Sequence, residues 1–571
     1  MTYFGNVNLE LLEIAPLTAR RVLELGCGEG AFAAAYRARN PAAHYTGIEI
    51  HAPSGAIAEP RMDRLLLGDF EGMRDDEVSG GEPFDLIVMG DVLEHMTDAD
   101  RVLARLNGLL ADDGHLLVSV PNVAHWTALF HLINGRWPAQ ESGLFDRTHL
   151  RFFTLQSLTE ALARAGLRLV KGKTRRFLLD SETAEKWIPP LADLAEKMGV
   201  DRQGFLSRSS TLQYVVLSEK AERAIPVQID LRAATFAPTL MDARTRLPAN
   251  YLNSAPELVV THVEKDLRLP AAPEQKPKIV IVQRHIPDSE EQWAGWLAYA
   301  TRAGWVVVSE YDDHPDLIAA ATNSDPMPKW RTIAYSHAVQ TSTEPLAEAF
   351  RARNPEVMPF PNAVFSLPPF PEHRDGAPRI FFGAANRQQF SVPVAHALKS
   401  VLHKHPDVHF EVVHDRAFFE ALPTSAKSFH PTLPYDDYLA AMDRCDIALL
   451  PLEGREAERY KSDIKYVEAA SRGLAVIASP AVYAETIRDG VTGLIAPTLS
   501  DWAPAVERLI GETDLRRTIA HTAWKEVRGH RMFAYQVNAR RDWYIDLWRR
   551  RAELQARLIE RLPLLARALG R

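Results

Sequence analysis

Short, nearly continuous apolar runs recur along this chain. Between them lie stretches in which apolar residues return at helical spacing. The runs suit strands buried on both faces of a sheet, and the stretches suit the helices that cover it. From Arg21 to about Leu217 the strand-like runs are VLEL from Val22, YTGIEI from Tyr45, FDLIVMG from Phe84, HLLVSV from His115 and LQYVVLS from Leu212. Their alternation with helical patterns predicts a doubly wound α/β sheet. The charged stretch Glu219–Ile225 closes this series. A second follows, with VQIDLRAATFAP, ELVVTHV, KPKIVIVQ and WVVVSEY. Proline-rich sequence at Pro359–Asn362 and Ser366–Pro378 reads as a linker. Beyond it RIFFGA, HFEVVHD, IALLP, LAVIAS and TGLIAP again alternate with helices, so the second half is expected to hold two Rossmann-like domains. The predicted divisions are 1–220, 221–375, 376–540 and a helical tail, 541–571.

Composition narrows this picture. A chain of 571 residues exceeds what one core supports. Its net charge of −8 argues against nucleic acid as a partner, which a basic surface would favour. The two cysteines, Cys27 and Cys445, fall in different predicted domains. A disulfide framework is therefore not expected, and a reducing cytoplasm fits. The first residues lack the basic and apolar regions of a signal peptide, and no apolar run is long enough to span a bilayer.

The first strand runs into Gly26-Cys27-Gly28-Glu29-Gly30. Glycines there let the backbone turn tightly and approach a ligand. Such a loop also occurs in dinucleotide binders, so a dehydrogenase is the runner-up for it. Glu49 ends the next strand, placed for ribose hydroxyls. Asp69 and Phe70 follow in LLLGDF, placed to bond and stack an adenine. Asp91 and His95 lie in DVLEH. This order of elements resembles class I S-adenosylmethionine-dependent methyltransferases, especially those that methylate hydroxyls. The resemblance implies that Glu24, Gly26, Cys27, Gly28, Gly30, Glu49, Asp69, Phe70 and Asp91 surround the cofactor. Further on, LFDRTHLRFFT resembles a segment of methyltransferases associated with bacterial surface polysaccharides. Methylating a hydroxyl calls for a base near the nucleophile. His149 is the first candidate, His95 the second, with Asp146 beside them. The structural alternative pairs Asp146 with Arg151 and leaves His149 donating to a carbonyl.

In the second half, Lys461–Ser479 and the following ETIRDGVTGLIAP resemble the donor-binding half of retaining, group 1 glycosyltransferases of the GT-B fold. That resemblance implies a nucleotide-sugar donor, with Glu468 on its ribose and Arg387 and Lys461 on its diphosphate. The family pattern places a second glutamate eight residues before Glu468, where this chain has Tyr460; Glu456 and Glu458 are out of register. Asp312 and Asp313 could hold a metal, but a polar strand-end turn is the preferred reading, and no metal is expected. The tail could lie on an anionic membrane or pack on its own domain, and packing is preferred. Together these features suggest a bifunctional enzyme of surface-glycan synthesis acting on a glycan or lipid-linked saccharide. The rival is a methyltransferase carrying a non-catalytic glycan- or nucleotide-binding module.

Overall fold

The computed structural model describes residues 6–176, 181–224, 227–237, 242–270, 275–374, 376–384 and 388–570. The chain divides into two compact units, Met1–Pro226 with Asn253–Pro256, and Val227–Leu252 with Glu257–Arg571. The first is built on strands β1 (Arg21–Leu25), β2 (His44–Glu49), β3 (Arg64–Leu67), β4 (Phe84–Gly90), β5 (Leu110–Pro121), β6 (Leu167–Arg175) and β7 (Gln213–Lys220). Their order is β3-β2-β1-β4-β5-β7-β6, with β7 antiparallel to both neighbours. The order reverses between β1 and β4. In open α/β sheets the ligand crevice lies outside the strand ends at that point. The core joins Leu23, Leu25, Ile87, Met89, Val118 and Val120 to helices Ala99–Leu109 and Leu155–Arg164. Helix Ala99–Leu109 starts at Asp98, whose side chain accepts from Arg101 N–H and satisfies a donor the helix itself leaves free.

The second unit contains two parallel sheets. One holds β8 (Ile229–Thr235), β9 (Leu258–Glu264), β10 (Lys278–Gln283), β11 (Val306–Glu310), β12 (Ala338–Thr341) and β13 (Val357–Pro359), ordered β13-β12-β11-β10-β8-β9. The other holds β14 (Arg379–Gly383), β15 (His409–Val413), β16 (Lys427–His430), β17 (Ile447–Leu450), β18 (Ala475–Ala478) and β19 (Leu494–Ile495), ordered β16-β15-β14-β17-β18-β19. Its switch point lies between β14 and β17. Arg531 ties the linker to this domain, holding Asp463 through two bonds of 2.6 and 2.7 Å and the Asn362 carbonyl at 3.1 Å.

The tail does not stand apart from residue 541. Helices Val537–Arg549, Arg551–Arg561 and Pro563–Leu569 return to the sheet of β8–β13. Leu558, Leu562 and Leu565 are fully buried there against Val280, Val282, Trp293 and Leu297. The apolar face that suggested a membrane is thus spent on the chain's own core, and the arginines pair outward, Arg550 with Glu356 at 2.7 Å. Among the described residues no helix is long and apolar enough to cross a membrane.

Candidate functional site

At the switch point of the first unit, the loop after β1 turns through Gly26, Gly28 and Gly30, all at positive φ (65°, 55° and 74°). A β-carbon on Gly26 would meet Val92 Cγ2 at 2.5 Å, so glycine is what lets this turn close against the end of β4. Glu49 holds the turn from β2. One of its oxygens accepts from Gly28 N–H at 2.7 Å and the other from His51 N–H at 2.8 Å. Each oxygen keeps a lone pair for a further donor. Asp69 is exposed, and its side chain accepts from Glu71 N–H at 3.0 Å at the start of a short 3-10 turn. Asp91 lies at φ 56°, an unusual conformation for a residue other than glycine. It accepts from Ser119 Oγ at 2.9 Å and from Gln213 Nε2. Burial raises the Asp91 pKa, and these two donors oppose the shift.

Three of the expected residues sit differently. Phe70 is 3% exposed in the hydrophobic core, with the Arg105 guanidinium 4.1 Å from its ring centre, so it offers no face for an adenine. The Cys27 side chain is buried against β2, close enough that a β-carbon on Gly47 would meet its sulfur at 2.9 Å. Burial, then Glu24 and Glu49, push that thiol far up. Only the Cys27 backbone belongs to the loop. Glu24 is buried and accepts from Tyr45 Oη at 2.8 Å. Burial pushes its carboxyl up to about 8, with Tyr45 opposing and Glu49 adding.

The histidines do come together. His95 and His149 meet edge to face, ring centres 4.8 Å apart. Asp146 does not pair with Arg151. It accepts from Thr148 N–H at 2.8 Å and Thr148 Oγ at 2.6 Å, while Arg151 donates to the Thr97 carbonyl at 2.5 Å. Burial, then His95, lower the His149 pKa. Sequence reasoning passed over Glu94, which is 1% exposed with its carboxylate facing His149. Its only sequence signal was its place in DVLEH, because its neighbour His149 is far away along the chain.

In the second unit, Glu468 lies on helix Ile464–Ser471 between β17 and β18. It accepts from Tyr435 Oη at 3.1 Å and from Lys465 Nζ at 3.2 Å. Lys465 also donates to Tyr438 Oη at 2.9 Å, and Tyr438 donates to the Gly383 carbonyl at the end of β14. Burial opposes the charge on Lys465, but Glu468 and Tyr438 outweigh it. This network places Glu468 beside the switch point. Lys461 is half-buried just beyond the turn Glu456–Tyr460. Arg387 lies outside the described residues. Tyr460 stacks on His314, ring centres 4.4 Å apart. Glu458 accepts from Gly454 N–H at 2.8 Å, so its carboxylate is committed to its own loop. Arg284 neutralises Asp312 and Asp313 at 2.7 and 2.8 Å, which makes that pair a cross-linked turn.

The two units therefore present a seven-stranded sheet with one antiparallel strand and glycine-loop carboxylates, and a pair of parallel Rossmann-like sheets. Residues 5–171 match the family model described as a methyltransferase domain, and residues 380–512 match the one described as glycosyl transferases group 1. The chain carries a domain of each kind. A malonyl-[acyl-carrier protein] O-methyltransferase from Geobacter sulfurreducens is 30% identical over 168 residues, 28% of this chain and 61% of that protein. A ubiquinone biosynthesis O-methyltransferase from Rhodopseudomonas palustris is 26% identical over 177 residues, 30% of this chain and 66% of that protein. The chain thus spans less than two thirds of either relative. A glycosyltransferase from Rickettsia africae aligns at 14% identity and TM-score 0.39, over 56% of this chain and 98% of that one.

Proposed function

We propose that the first unit transfers the methyl group of S-adenosylmethionine to a hydroxyl, and that the second transfers a sugar from a nucleotide-sugar donor. The observation that carries the first half is the set of carboxylates around the glycine turn. Glu49 ends β2, and Asp69 and Asp91 follow β3 and β4, and the cofactor offers a diol, an amino edge and cationic groups. The residues fit it in number and chemistry. Glu49 would take the ribose hydroxyls and Asp69 the adenine edge, with Gly26, Gly28 and Gly30 lining the turn and Asp91 closing it. The cofactor supplies an electrophilic methyl on sulfonium. The acceptor hydroxyl would lose its proton at the cluster of His149, His95 and Asp146, of which His95 lies one turn beyond Asp91.

In the second unit Glu468 would bind the donor ribose, with Lys461 and Arg387 stabilising the leaving diphosphate. The product fitting both chemistries is a bacterial surface glycan, with a lipid-linked saccharide as acceptor at the cytoplasmic face of the membrane. Fusion raises the effective concentration of one active site for the product of the other. A second reading has the glycosyltransferase half binding glycan or nucleotide without turnover, and retention of configuration fails with it. Tyr460 favours that reading, because an aromatic ring stacked on His314 stands where the family has its first carboxylate. Donor consumption by the full chain, measured with UDP-, GDP- and dTDP-sugars without S-adenosylmethionine, separates the two. Turnover of one donor supports transfer; nucleotide binding without turnover supports the binding module.

A further inference from the structure

Glu94 is a buried carboxylate close to His149. It is 1% exposed, and neither carboxylate oxygen meets a hydrogen-bond donor on another described residue. Leaving a buried acceptor unsatisfied is costly, and more so when it is charged. The surrounding groups offer lone pairs as well as protons. His149 Nε2 stands 3.9 Å from Glu94 Oε1. One ligand atom from each of Glu94, His95 and His149 lies within 4.8 Å of the others.

The three are also held in place. The Glu94 carbonyl accepts from Leu150 N–H at 2.9 Å and Arg151 N–H at 3.0 Å, which clamps the His149 loop onto the Glu94 turn. His95 Nδ1 lies 3.2 Å from the Thr148 carbonyl and 3.1 Å from its hydroxyl. The His149 ring is hydrogen-bonded at the Leu144 backbone. Metal-binding imidazoles are oriented by such outer contacts.

We propose that Glu94, His95 and His149 form a site for a divalent transition-metal cation. Two imidazoles and one carboxylate suit zinc, manganese, iron or cobalt, whereas magnesium and calcium prefer all-oxygen sets. Three protein ligands leave positions open for a substrate oxygen. The catalytic use of the cation rests on the methyl-transfer reading above; its binding does not. An acceptor hydroxyl bound in an open position becomes more acidic and gives its proton to solvent. Its oxygen then attacks the methyl carbon. The C–O bond forms as the C–S bond breaks, and the sulfur keeps the electron pair as a neutral thioether. With the cation bound, His149 is a ligand, and solvent takes the proton in place of the histidine cluster of the proposed function.

The test is a Co2+ titration of the full chain after chelator stripping and dialysis, followed by visible absorption. One equivalent is expected to bind with the d–d bands of a nitrogen–oxygen site and to be displaced by Zn2+. Glu94→Gln and His149→Gln are expected to lose the bands and at least about tenfold in Co2+ affinity. The thermal shift given by S-adenosylhomocysteine, measured on the same samples, reports folding and the cofactor pocket. If Glu94→Gln fails to fold, the half-exposed His95→Gln replaces it. Wild-type protein without a stoichiometric site overturns the proposal, and so do variants that bind Co2+ as tightly as wild type. Co2+ binding without an S-adenosylhomocysteine shift keeps the cation site and sinks the methyl-transfer reading.

Discussion

Glu24 and Glu49 face neighbouring strand ends of one sheet, yet their surroundings give them different tasks. Glu24 is buried under Tyr45, and its carboxyl is pushed up to about 8 from an ordinary 4.5. The folded state therefore holds this proton more tightly than the unfolded chain does. Stability is intact below about pH 4.5 and falls as pH rises through 8. Glu24→Gln has no proton to lose. It is expected to match wild type near pH 5 and to unfold at higher urea near pH 9, as urea titrations across that range will show. Glu49 spends both oxygens on backbone donors and faces the crevice. Glu49→Gln removes charge-assisted acceptance and is expected to weaken S-adenosylmethionine binding about tenfold or more by calorimetry, or about 1.4 kcal/mol. The sequence order placed Glu49, Asp69 and Asp91 at strand ends because each follows an apolar run. It misplaced Phe70 because an aromatic beside an aspartate reads the same whether it points to a ligand or to the core. Here Arg105 and the sheet took it inward.

Most of the strands legible in the sequence are buried on both faces; β9, with Val259 exposed, is an exception. The ones passed over are β3, β6, β12, β13 and β16; β12 is short and buried, and the other four lie at the edges of their sheets. β6, LRLVKGKTR, has mostly half-exposed positions, and β16, KSFH, has only intermediate ones. Burial, which writes the apolar run, is weak at an edge. The tail packs on its own domain, as preferred from the sequence. Its amphipathic pattern was plain, but a helical stripe fits a membrane and a protein core equally well. The packed structure makes a separating prediction. Leu562 is fully buried against the β8–β13 layer. Leu562→Ala is expected to cost about 2–5 kcal/mol in denaturant unfolding. The intact protein is expected not to float with anionic vesicles. A membrane-seated tail would reverse both results.

At the scale of the whole chain, the two units hold separate candidate sites with separate carboxylates, so their ligands should report independently. A ligand that binds only the native state stabilises it by about 2.7 kcal/mol when present at a hundred times its dissociation constant. S-adenosylhomocysteine is expected to raise one unfolding transition, and one of UDP, GDP or dTDP to raise another. Glu49→Gln should shrink the first shift, to about 1.4 kcal/mol for a tenfold loss of affinity, and spare the second. Glu468→Gln should do the reverse, because it breaks the Tyr435–Glu468–Lys465 network beside β14 and leaves the first unit untouched. This double dissociation follows from each site being built within one unit. A single transition raised by both ligands would mean that the units unfold as one, and the two transferase sites would then share a single cooperative framework. A nucleotide shift missing from wild type would point to Tyr460 and its stack on His314, marking a donor pocket that the second half no longer keeps open.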